Sequence, residues 1–372
     1  MSQRIEDRIE EIKAELAKMQ YNKATQGHFA TLKARMAQLQ SELVDRAQAS
    51  KAKKGAGFSI RKHGDATAIL LGFPSVGKST LLNAITNKES KVGAYDFTTL
   101  DAIPGMMEYD GKYKGTQVQI LDLPGIIQGG AKGKGRGREI FAAVRNADII
   151  IIMIDGANPD HLPTILEELY DANIRLDQRP PRMSVKKQNK GGIHVTGFRT
   201  DASEEEIANV LRTYRVMNAN VFLSERDITI DQIIDHVAGN RMYVPSLVVV
   251  NKVDLLSKRD LTTLRERIGR DFVPISAELG QGLQELKEAV VETIGLMRIY
   301  LRQPGKKADL EEPMIVKRGL TVEDLCRKIH KRFVDDFRFA NVWGPSAKFP
   351  GQKVGLSHEL EDSDIIKIIL YK

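Results

Sequence analysis

The segment from Gly72 to Ser79, read as Gly-Phe-Pro-Ser-Val-Gly-Lys-Ser, most constrains how this chain can fold. It matches the pattern Gly-x-x-x-x-Gly-Lys-Ser/Thr, the apolar run Ala68–Leu71 precedes it, and the helix-like segment Thr80–Thr86 follows it. This strand–loop–helix context predicts a loop whose backbone N–H groups face phosphate oxygens. An ordinary glycine-rich turn is the alternative, and the Lys-Ser pair in register argues against it.

The loop pattern predicts a role for each of its polar side chains. Lys78 is expected to reach the β- and γ-phosphates of a nucleotide, and the Ser79 hydroxyl is expected to bind Mg²⁺. The residues predicted to contact the phosphates are Gly72, Ser75, Val76, Gly77, Lys78, Ser79 and Thr80.

A second motif, Asp122-Leu-Pro-Gly125, follows the strand-like run Val118–Leu121. Asp122 is predicted to hold Mg²⁺ through water, and the Gly125 N–H is predicted to sense the γ-phosphate. Between this motif and the loop, Thr99 is the first candidate to close over the γ-phosphate and to complete the Mg²⁺ shell. Thr98 is the second, and a threonine-rich edge strand is the alternative.

A third motif predicts the base. The apolar run Leu247–Val250 delivers Asn251-Lys252-Val-Asp254 at a strand end, where open α/β sheets bind ligands. The Asp254 carboxylate would accept two hydrogen bonds from guanine, and adenine offers neither donor, so a buried carboxylate would stay unpaired with ATP. Lys252 would lie along the base. A backbone N–H of Ser276 or Ala277 would reach the guanine O6.

Two features predict slow hydrolysis and a switch. Ile126 stands where many switch GTPases carry a glutamine that orients the attacking water, so another group must position that water. The glycine-rich segment Gly129–Gly137 cannot form a stiff element alone and is predicted to order when the γ-phosphate is present. Its cations would supply transition-state charge or contact RNA phosphates; a flexible, solvated loop is the alternative.

Composition limits the classes of function. The chain has 372 residues and a formal net charge of +7, and its basic residues concentrate in Arg46–Gly64 and Arg175–Lys190. Clustered positive charge beside a nucleotide site favours RNA, and solvated basic loops are the alternative. The single cysteine excludes an internal disulfide framework. The longest apolar run, Ile149–Ile154, is too short to span a bilayer, which predicts a cytoplasmic protein without membrane contact.

The chain divides into several predicted units. Apolar stripes within residues 1–50 predict a helical hairpin, which packs either on this chain or on a partner. A basic linker is predicted at 51–65, a nucleotide domain at 66–175 and 243–295, an inserted α+β domain at 176–242, and a β-grasp-like domain at 296–372.

Two pairs of residues predict where helices start, Ser203 with Glu206 and Thr321 with Asp324. The second of these helices is expected to end near Arg332. Cys326, Trp343 and Phe349 are expected in the core, although the two aromatic residues are also candidates to stack on RNA bases.

Together, Gly72–Ser79, Tyr95–Leu100, Asp122–Ile127 and Asn251–Asp254 resemble the Obg-related translation GTPases. The long insertion and the β-grasp-like tail narrow this resemblance to the developmentally regulated GTP-binding (DRG) family. The resemblance implies an α/β P-loop GTPase domain with an N-terminal helical hairpin, an inserted domain similar to one of a small-subunit ribosomal protein, and a C-terminal TGS domain. It also implies GTP hydrolysis linked to ribosomes and translation, ribosomal RNA contact and, in eukaryotic relatives, a dedicated protein partner.

The resemblance leaves K⁺ use open. Related GTPases use K⁺ in place of an arginine finger, often with an asparagine ligand at the loop position that Ser75 occupies here. Two other hypotheses compete with a ribosome-associated GTPase. One is a nucleotide-gated RNA- or protein-binding adaptor with incidental hydrolysis, which Ile126 favours; the other is an ATPase, which Asp254 argues against.

Overall fold

The computed structural model describes residues 2–22, 25–52, 63–86, 103–123, 144, 147–302, 310 and 313–371. Its helices are α1 (Ser2–Lys18), α2 (Gln26–Ala52), α3 (Lys78–Ile85), α4 (His161–Asp171), α5 (Glu204–Thr213), α6 (Ile230–Ala238), α7 (Lys258–Ile268), α8 (Leu283–Ile294), α9 (Val322–Ile329) and α10 (Arg332–Asp335). Its strands are β1 (Ala66–Leu71), β2 (Ile103–Tyr109), β3 (Thr116–Asp122), β4 (Ile149–Asp155), β5 (Ile174–Leu176), β6 (Met183–Lys187), β7 (Ile193–Gly197), β8 (Ala219–Leu223), β9 (Met242–Val244), β10 (Ser246–Asn251), β11 (Val273–Pro274), β12 (Leu296–Leu301), β13 (Met314–Lys317), β14 (Phe337–Trp343), β15 (Gln352–Val354) and β16 (Asp364–Leu370).

A six-stranded sheet in the order β11-β10-β4-β1-β3-β2 forms the centre of the nucleotide domain. The ladders are parallel except for β2, which runs antiparallel to β3. Every residue of β1 is buried, because α4 and α7 pack on one face of the sheet and α3 and α8 on the other. Strands covered on both faces carry continuous apolar runs rather than alternating ones, which explains why the Ile149–Ile154 run is so apolar.

A three-stranded sheet, β6-β8-β7, belongs to the insertion predicted between the two halves of the nucleotide domain. Helices α5 and α6 pack on one of its faces. The predicted capping box of Ser203 and Glu206 is confirmed, since each side chain accepts a hydrogen bond from the other residue's backbone N–H. A second box starts α6 at Thr229 and Gln232.

The two N-terminal helices pack on this chain. Ala30, Ala34 and Ala37 of α2 are buried against the helices of the insertion, and their small side chains allow a close approach of the helix backbones. Lys33 Nζ pairs with the Asp231 carboxylate at 2.9 Å, and Tyr21 donates to the Glu206 carboxylate at 2.9 Å. Of the two predicted packing modes, the structure therefore shows the intramolecular one.

A buried ion cluster joins the nucleotide domain to the insertion. Asp235 of α6 accepts from Arg175 Nε at 2.6 Å and Nη2 at 2.9 Å, and from Arg241 Nε at 2.6 Å. The Arg175 guanidinium also lies 3.7 Å from the centroid of the Tyr170 ring. The sequence counts Arg175 among the basic residues that suggest RNA binding. Because Arg175 is buried and its charge is neutralised by Asp235, it does not contact RNA.

The C-terminal sheet has the order β13-β12-β16-β14-β15. Its core includes Cys326, which confirms the core prediction for that residue. Thr321 and Asp324 form the predicted capping box, but α9 ends at Ile329, and α10 starts as a separate turn at Arg332.

Two core predictions in this sheet are wrong. Phe349 is 60% exposed, because it lies in the connection between β14 and β15 rather than on an inward-facing strand position. Trp343 is only half-buried, and the Arg302 guanidinium lies 4.9 Å from its ring. Alternation along β14 sends Ala340 and Val342 to the core and Trp343 to the opposite face.

The C-terminal sheet meets the nucleotide domain at the end of the central sheet away from the phosphate loop. Lys317 Nζ pairs with the buried Asp148 at 2.5 Å, and Asp148 directly precedes β4. Ligands bind at the opposite, carboxyl ends of such strands. In the described part of the chain, no helix is long and apolar enough to cross a membrane.

Candidate nucleotide site

The predicted phosphate loop connects β1 to α3, with Lys78 as the first residue of the helix. Two of its glycines are required by their surroundings. A Cβ on Gly72 would lie 2.4 Å from the Met153 carbonyl oxygen, and one on Gly77, where φ is 97°, would lie 2.4 Å from Asn251 Nδ2. Ser75 adopts a left-handed φ of 63°, which orients the loop backbone between the two glycines. The loop is therefore wedged between β4 and the end of β10.

Lys78 folds back over the loop that precedes it. Its ammonium donates to the carbonyl oxygens of Gly72 at 3.0 Å and Phe73 at 3.1 Å. Burial lowers the pKa of Lys78, and the charge of Asp122 opposes that effect. The cation is thus held at the mouth of the loop by neutral carbonyls, from which a phosphate could withdraw it.

Asp122 ends β3 beside the start of α3. Its Oδ2 lies 3.4 Å from the Ser79 hydroxyl, which donates to it, while its buried Oδ1 has no hydrogen-bond partner among the described residues. Burial raises the pKa of Asp122, and the neighbouring Lys78 charge and Ser79 hydrogen bond oppose the rise. An unpaired carboxylate oxygen next to a hydroxyl is a donor set that suits Mg²⁺, which prefers oxygen ligands.

Asn251 joins the phosphate loop to the segment that follows β11. Its Nδ2 donates to the Val76 carbonyl at 2.8 Å, and its Oδ1 accepts from the Ala277 N–H at 2.9 Å. The residue is buried, so neither bond is exposed to solvent competition. Asn251 was predicted as a nucleotide contact; in the structure both polar atoms of its side chain position the protein's own loops.

Lys252 and Asp254 lie at the carboxyl end of β10. Lys252 adopts a left-handed φ of 62°, and its ammonium pairs with Asp155 Oδ2 at 2.7 Å. This pair, with a hydrogen bond from the Ala157 N–H, keeps the pKa of Asp155 low although burial raises it. Asp254 lies in a single 3₁₀ turn, Val253–Leu255, with its side chain exposed. The carboxylate predicted to read the base is therefore accessible.

The segment predicted to contact guanine O6 is more constrained than expected. The Ser276 N–H donates to the Gln281 carbonyl at 3.0 Å, and the Ala277 N–H donates to Asn251. Both backbone donors already have partners within the chain. An O6 contact from this segment would require one of these donors to be shared.

Sequence reasoning assigned no role to three residues that shape this site. Asp155 fixes the Lys252 side chain, and its place at the end of an apolar strand was a usable signal. The Phe73 ring stacks on the His161 ring with centroids 4.2 Å apart, which anchors the second loop residue to the start of α4. The residue pattern of the loop contains no signal for this contact.

The structure brings together Gly72, Ser75, Val76, Gly77, Lys78, Ser79, Thr80, Asp122, Asn251, Lys252, Asp254, Ser276 and Ala277 along the carboxyl edge of the central sheet. The predictions for Thr98, Thr99, Gly125, Ile126 and the Gly129–Gly137 loop lie outside the described residues.

A mostly parallel sheet with this phosphate loop, an aspartate at the end of the adjacent strand and an Asn-Lys-x-Asp motif at its carboxyl edge defines a P-loop GTPase. The sequence matches the family described as a 50S ribosome-binding GTPase over residues 67–187, the C-terminal region of that domain over 190–296, and the TGS domain over 297–370.

Full-length relatives narrow the class. The chain is 49% identical to an uncharacterized GTP-binding protein of Methanocaldococcus jannaschii, over 98% of this chain and 93% of the relative. It is 40% identical to human developmentally-regulated GTP-binding protein 2, over 98% of each chain. It is also 41% identical to developmentally-regulated GTP-binding protein 1 of Xenopus laevis, over 97% of this chain and 98% of the relative. The chain belongs to the DRG family of GTPases.

Proposed function

We propose that this protein binds GTP with Mg²⁺ and hydrolyses it to GDP and phosphate in the course of a ribosome-associated task. The observation that carries this proposal is the Asn251 bridge. Its two bonds, at 2.8 Å and 2.9 Å, tie the phosphate loop to the base-side segment. A nucleotide that spans both parts would bind one preassembled unit, so little conformational entropy would be lost on binding.

Guanine specificity rests on Asp254. Its exposed carboxylate would accept from the guanine N1–H and the exocyclic amine, while the Lys252 stem would lie along the base. The Lys252–Asp155 pair holds that stem in place. Adenine lacks both donors, and leaving the carboxylate unpaired under a bound base costs about 1–3 kcal/mol or more.

The phosphate end would use the residues that already converge there. Lys78 would exchange its two backbone carbonyls for β- and γ-phosphate oxygens, which is favourable because a charged pair replaces neutral contacts. Mg²⁺ would neutralise phosphate charge, held by Ser79, Thr99 and Asp122. The Gly125 N–H would hold the γ-phosphate while water attacks it.

Intrinsic hydrolysis is proposed to be slow, because Ile126 cannot orient the attacking water. The rate is therefore expected to rise with ribosomes or with K⁺ near Ser75. If turnover stays unchanged under both additions, the activation part of the proposal is wrong. The alternative hypothesis, an RNA- or protein-binding adaptor, is favoured by the same Ile126. It predicts that a variant which binds GTP without hydrolysing it still performs the adaptor role.

Base recognition is tested with the exchange Asp254→Asn, with Asp271→Asn as the matched control at another exposed aspartate. Asparagine offers an N–H where guanine also donates, so guanine nucleotide affinity should fall at least tenfold. Xanthine nucleotides, which carry an acceptor at that position, should gain affinity. Competition against a fluorescent guanine nucleotide by GDP, xanthosine diphosphate and ADP measures this. Equal displacement by GDP and ADP from the unmodified protein would refute guanine specificity.

The ribosome role is supported by the description of the matched family and is tested by co-sedimentation with ribosomes. Binding should be strongest with a non-hydrolysable GTP analogue and weaker with GDP or without nucleotide. Ribosome binding that is equally strong in all three nucleotide states would exclude a GTP-gated switch. If the protein does not co-sediment with ribosomes in any state, the ribosome role itself is wrong.

A further inference from the structure

The three-stranded sheet of the insertion has one face covered and one face in solvent. Along β8, Ala219, Val221 and Leu223 are buried under α5 and α6, while Asn220 and Phe222 are exposed. The solvent side of the sheet is built from Ser184, Lys186, His194, Thr196, Asn220 and Phe222; we call it the insert face.

The insert face presents an aromatic ring at its centre. Phe222 lies on the middle strand and is 50% exposed. It pairs with Ser184 on one neighbouring strand and Thr196 on the other, so only short side chains flank the ring. Phe198, 49% exposed, follows at the end of β7 and lies 5.8 Å from the Arg226 guanidinium. Both rings are accessible to a stacking partner.

The chain segment that supplies the two outer strands of this face is basic. Residues 183–200 contain four exposed cations, Lys186, Lys187, Lys190 and Arg199, and no acidic residue. None of the four forms an ion pair with a carboxylate within the described ranges. Among the acidic residues of the insertion, Glu204–Glu206 start α5 on the covered side, and Glu225 is paired with Arg179. Two exposed carboxylates, Asp201 and Asp227, lie near the Phe198 end of the face, where the Asp227 N–H donates to the Arg199 carbonyl at 3.3 Å.

We propose that the insert face binds single-stranded RNA, with bases stacked on Phe222 and Phe198 and phosphates held by Lys186, Lys190 and Arg199. Aromatic rings on an open sheet recognise unstacked bases, and unpaired lysines release counterions from the RNA backbone. A protein partner fits less well, because Ser184, Thr196, Asn220 and His194 surround Phe222 with polar groups rather than with the apolar centre of an interface. RNA binding by the insert face is independent of the proposed function. Only the source of the RNA, the ribosome, rests on that function.

The face is tested with full-length protein and a labelled single-stranded RNA of about 12 nucleotides, a length within the range for such sites, in a fluorescence anisotropy titration. Phe222→Ala should weaken binding at least fivefold, since stacking of one base is worth about that much or more. Tyr371→Ala, at an exposed aromatic residue that follows the last strand of the C-terminal sheet, is the matched control and should change affinity less than twofold.

The cations are tested by salt dependence. Replacing Lys186, Lys190 and Arg199 together by alanine should reduce the slope of log affinity against log salt by about 2, because each single-strand phosphate contact contributes about 0.7. A slope that does not change would show that these cations make no phosphate contact. Binding of the fluorescent guanine nucleotide reports whether each variant is folded.

Ribosome co-sedimentation of the same variants separates the possible failures. Loss of RNA binding in Phe222→Ala, with binding by Tyr371→Ala unchanged, supports the proposal even if neither variant changes ribosome association; the ribosome role of this face would then be wrong. Unchanged RNA affinity in Phe222→Ala overturns the proposal. If that variant also loses ribosome association, the face contacts protein instead.

Discussion

Replacing Asn251 by alanine tests whether the phosphate loop and the base-side segment act as one unit. The substitution removes both bonds of the buried amide and leaves the Val76 carbonyl and the Ala277 N–H without their partners. A buried polar group that loses its partner costs about 1–3 kcal/mol. Two such groups cost about 2–6 kcal/mol in total. Part of this cost appears as lower folding stability and part as weaker nucleotide binding.

We expect most of this cost in nucleotide affinity, because in the free protein the two loops can separate and take up water. A penalty of about 2 kcal/mol on binding corresponds to a roughly 30-fold weaker complex. Titration with a fluorescent guanine nucleotide measures the affinity, and urea unfolding without nucleotide measures the remaining loss of stability.

Asn341→Ala is the matched control. It also removes a side-chain amide bond, from Asn341 Nδ2 to the Gly351 carbonyl at 2.9 Å, but in the C-terminal sheet. It should lower stability slightly and leave nucleotide affinity unchanged. If folded Asn251→Ala binds guanine nucleotide within twofold of the unmodified protein, the coupling inferred from the bridge is refuted.

Two other predictions concern stability. Asp235→Ala would leave the guanidinium groups of Arg175 and Arg241 buried without a counter-ion, at a cost of about 3–5 kcal/mol in urea unfolding; a loss below about 1 kcal/mol would show that the cluster is not holding the insertion in place. Burial raises the pKa of Cys326 to about 11, so its thiol stays protonated at neutral pH. The pKa of this thiol is higher in the folded protein than in the unfolded chain, so burying the protonated thiol stabilises the fold at neutral pH. That stabilisation is lost as pH rises toward about 11. A thiol reagent at neutral pH should therefore react at the rate of unfolding, and fast reaction in native buffer would contradict the burial.

Local patterns were sufficient to predict β1, β3 and β10 and the helix α3 that follows the phosphate loop, whereas α7 and α8 were not predicted. Glycine spacing, a Lys-Ser pair and apolar runs are properties of neighbouring residues, and strands buried on both faces leave a strong apolar signal. The same reasoning missed β2, β5, β9 and β15, because short or edge strands with mixed side chains have no clear period. It also placed Phe349 and Trp343 in the core, since an aromatic residue alone does not indicate which face of a strand it occupies.

The sequence by itself determined the class of site: a phosphate loop, an aspartate after a strand and an Asn-Lys-x-Asp motif, each readable because its chemistry depends on residues close together in the chain. The tertiary structure alone decided what Asn251, Arg175 and Phe222 do. Their partners are Val76, Asp235 and the short side chains of two neighbouring strands, all distant in sequence. A pattern can show that a side chain needs a partner, but the partner is chosen only when helices and strands pack.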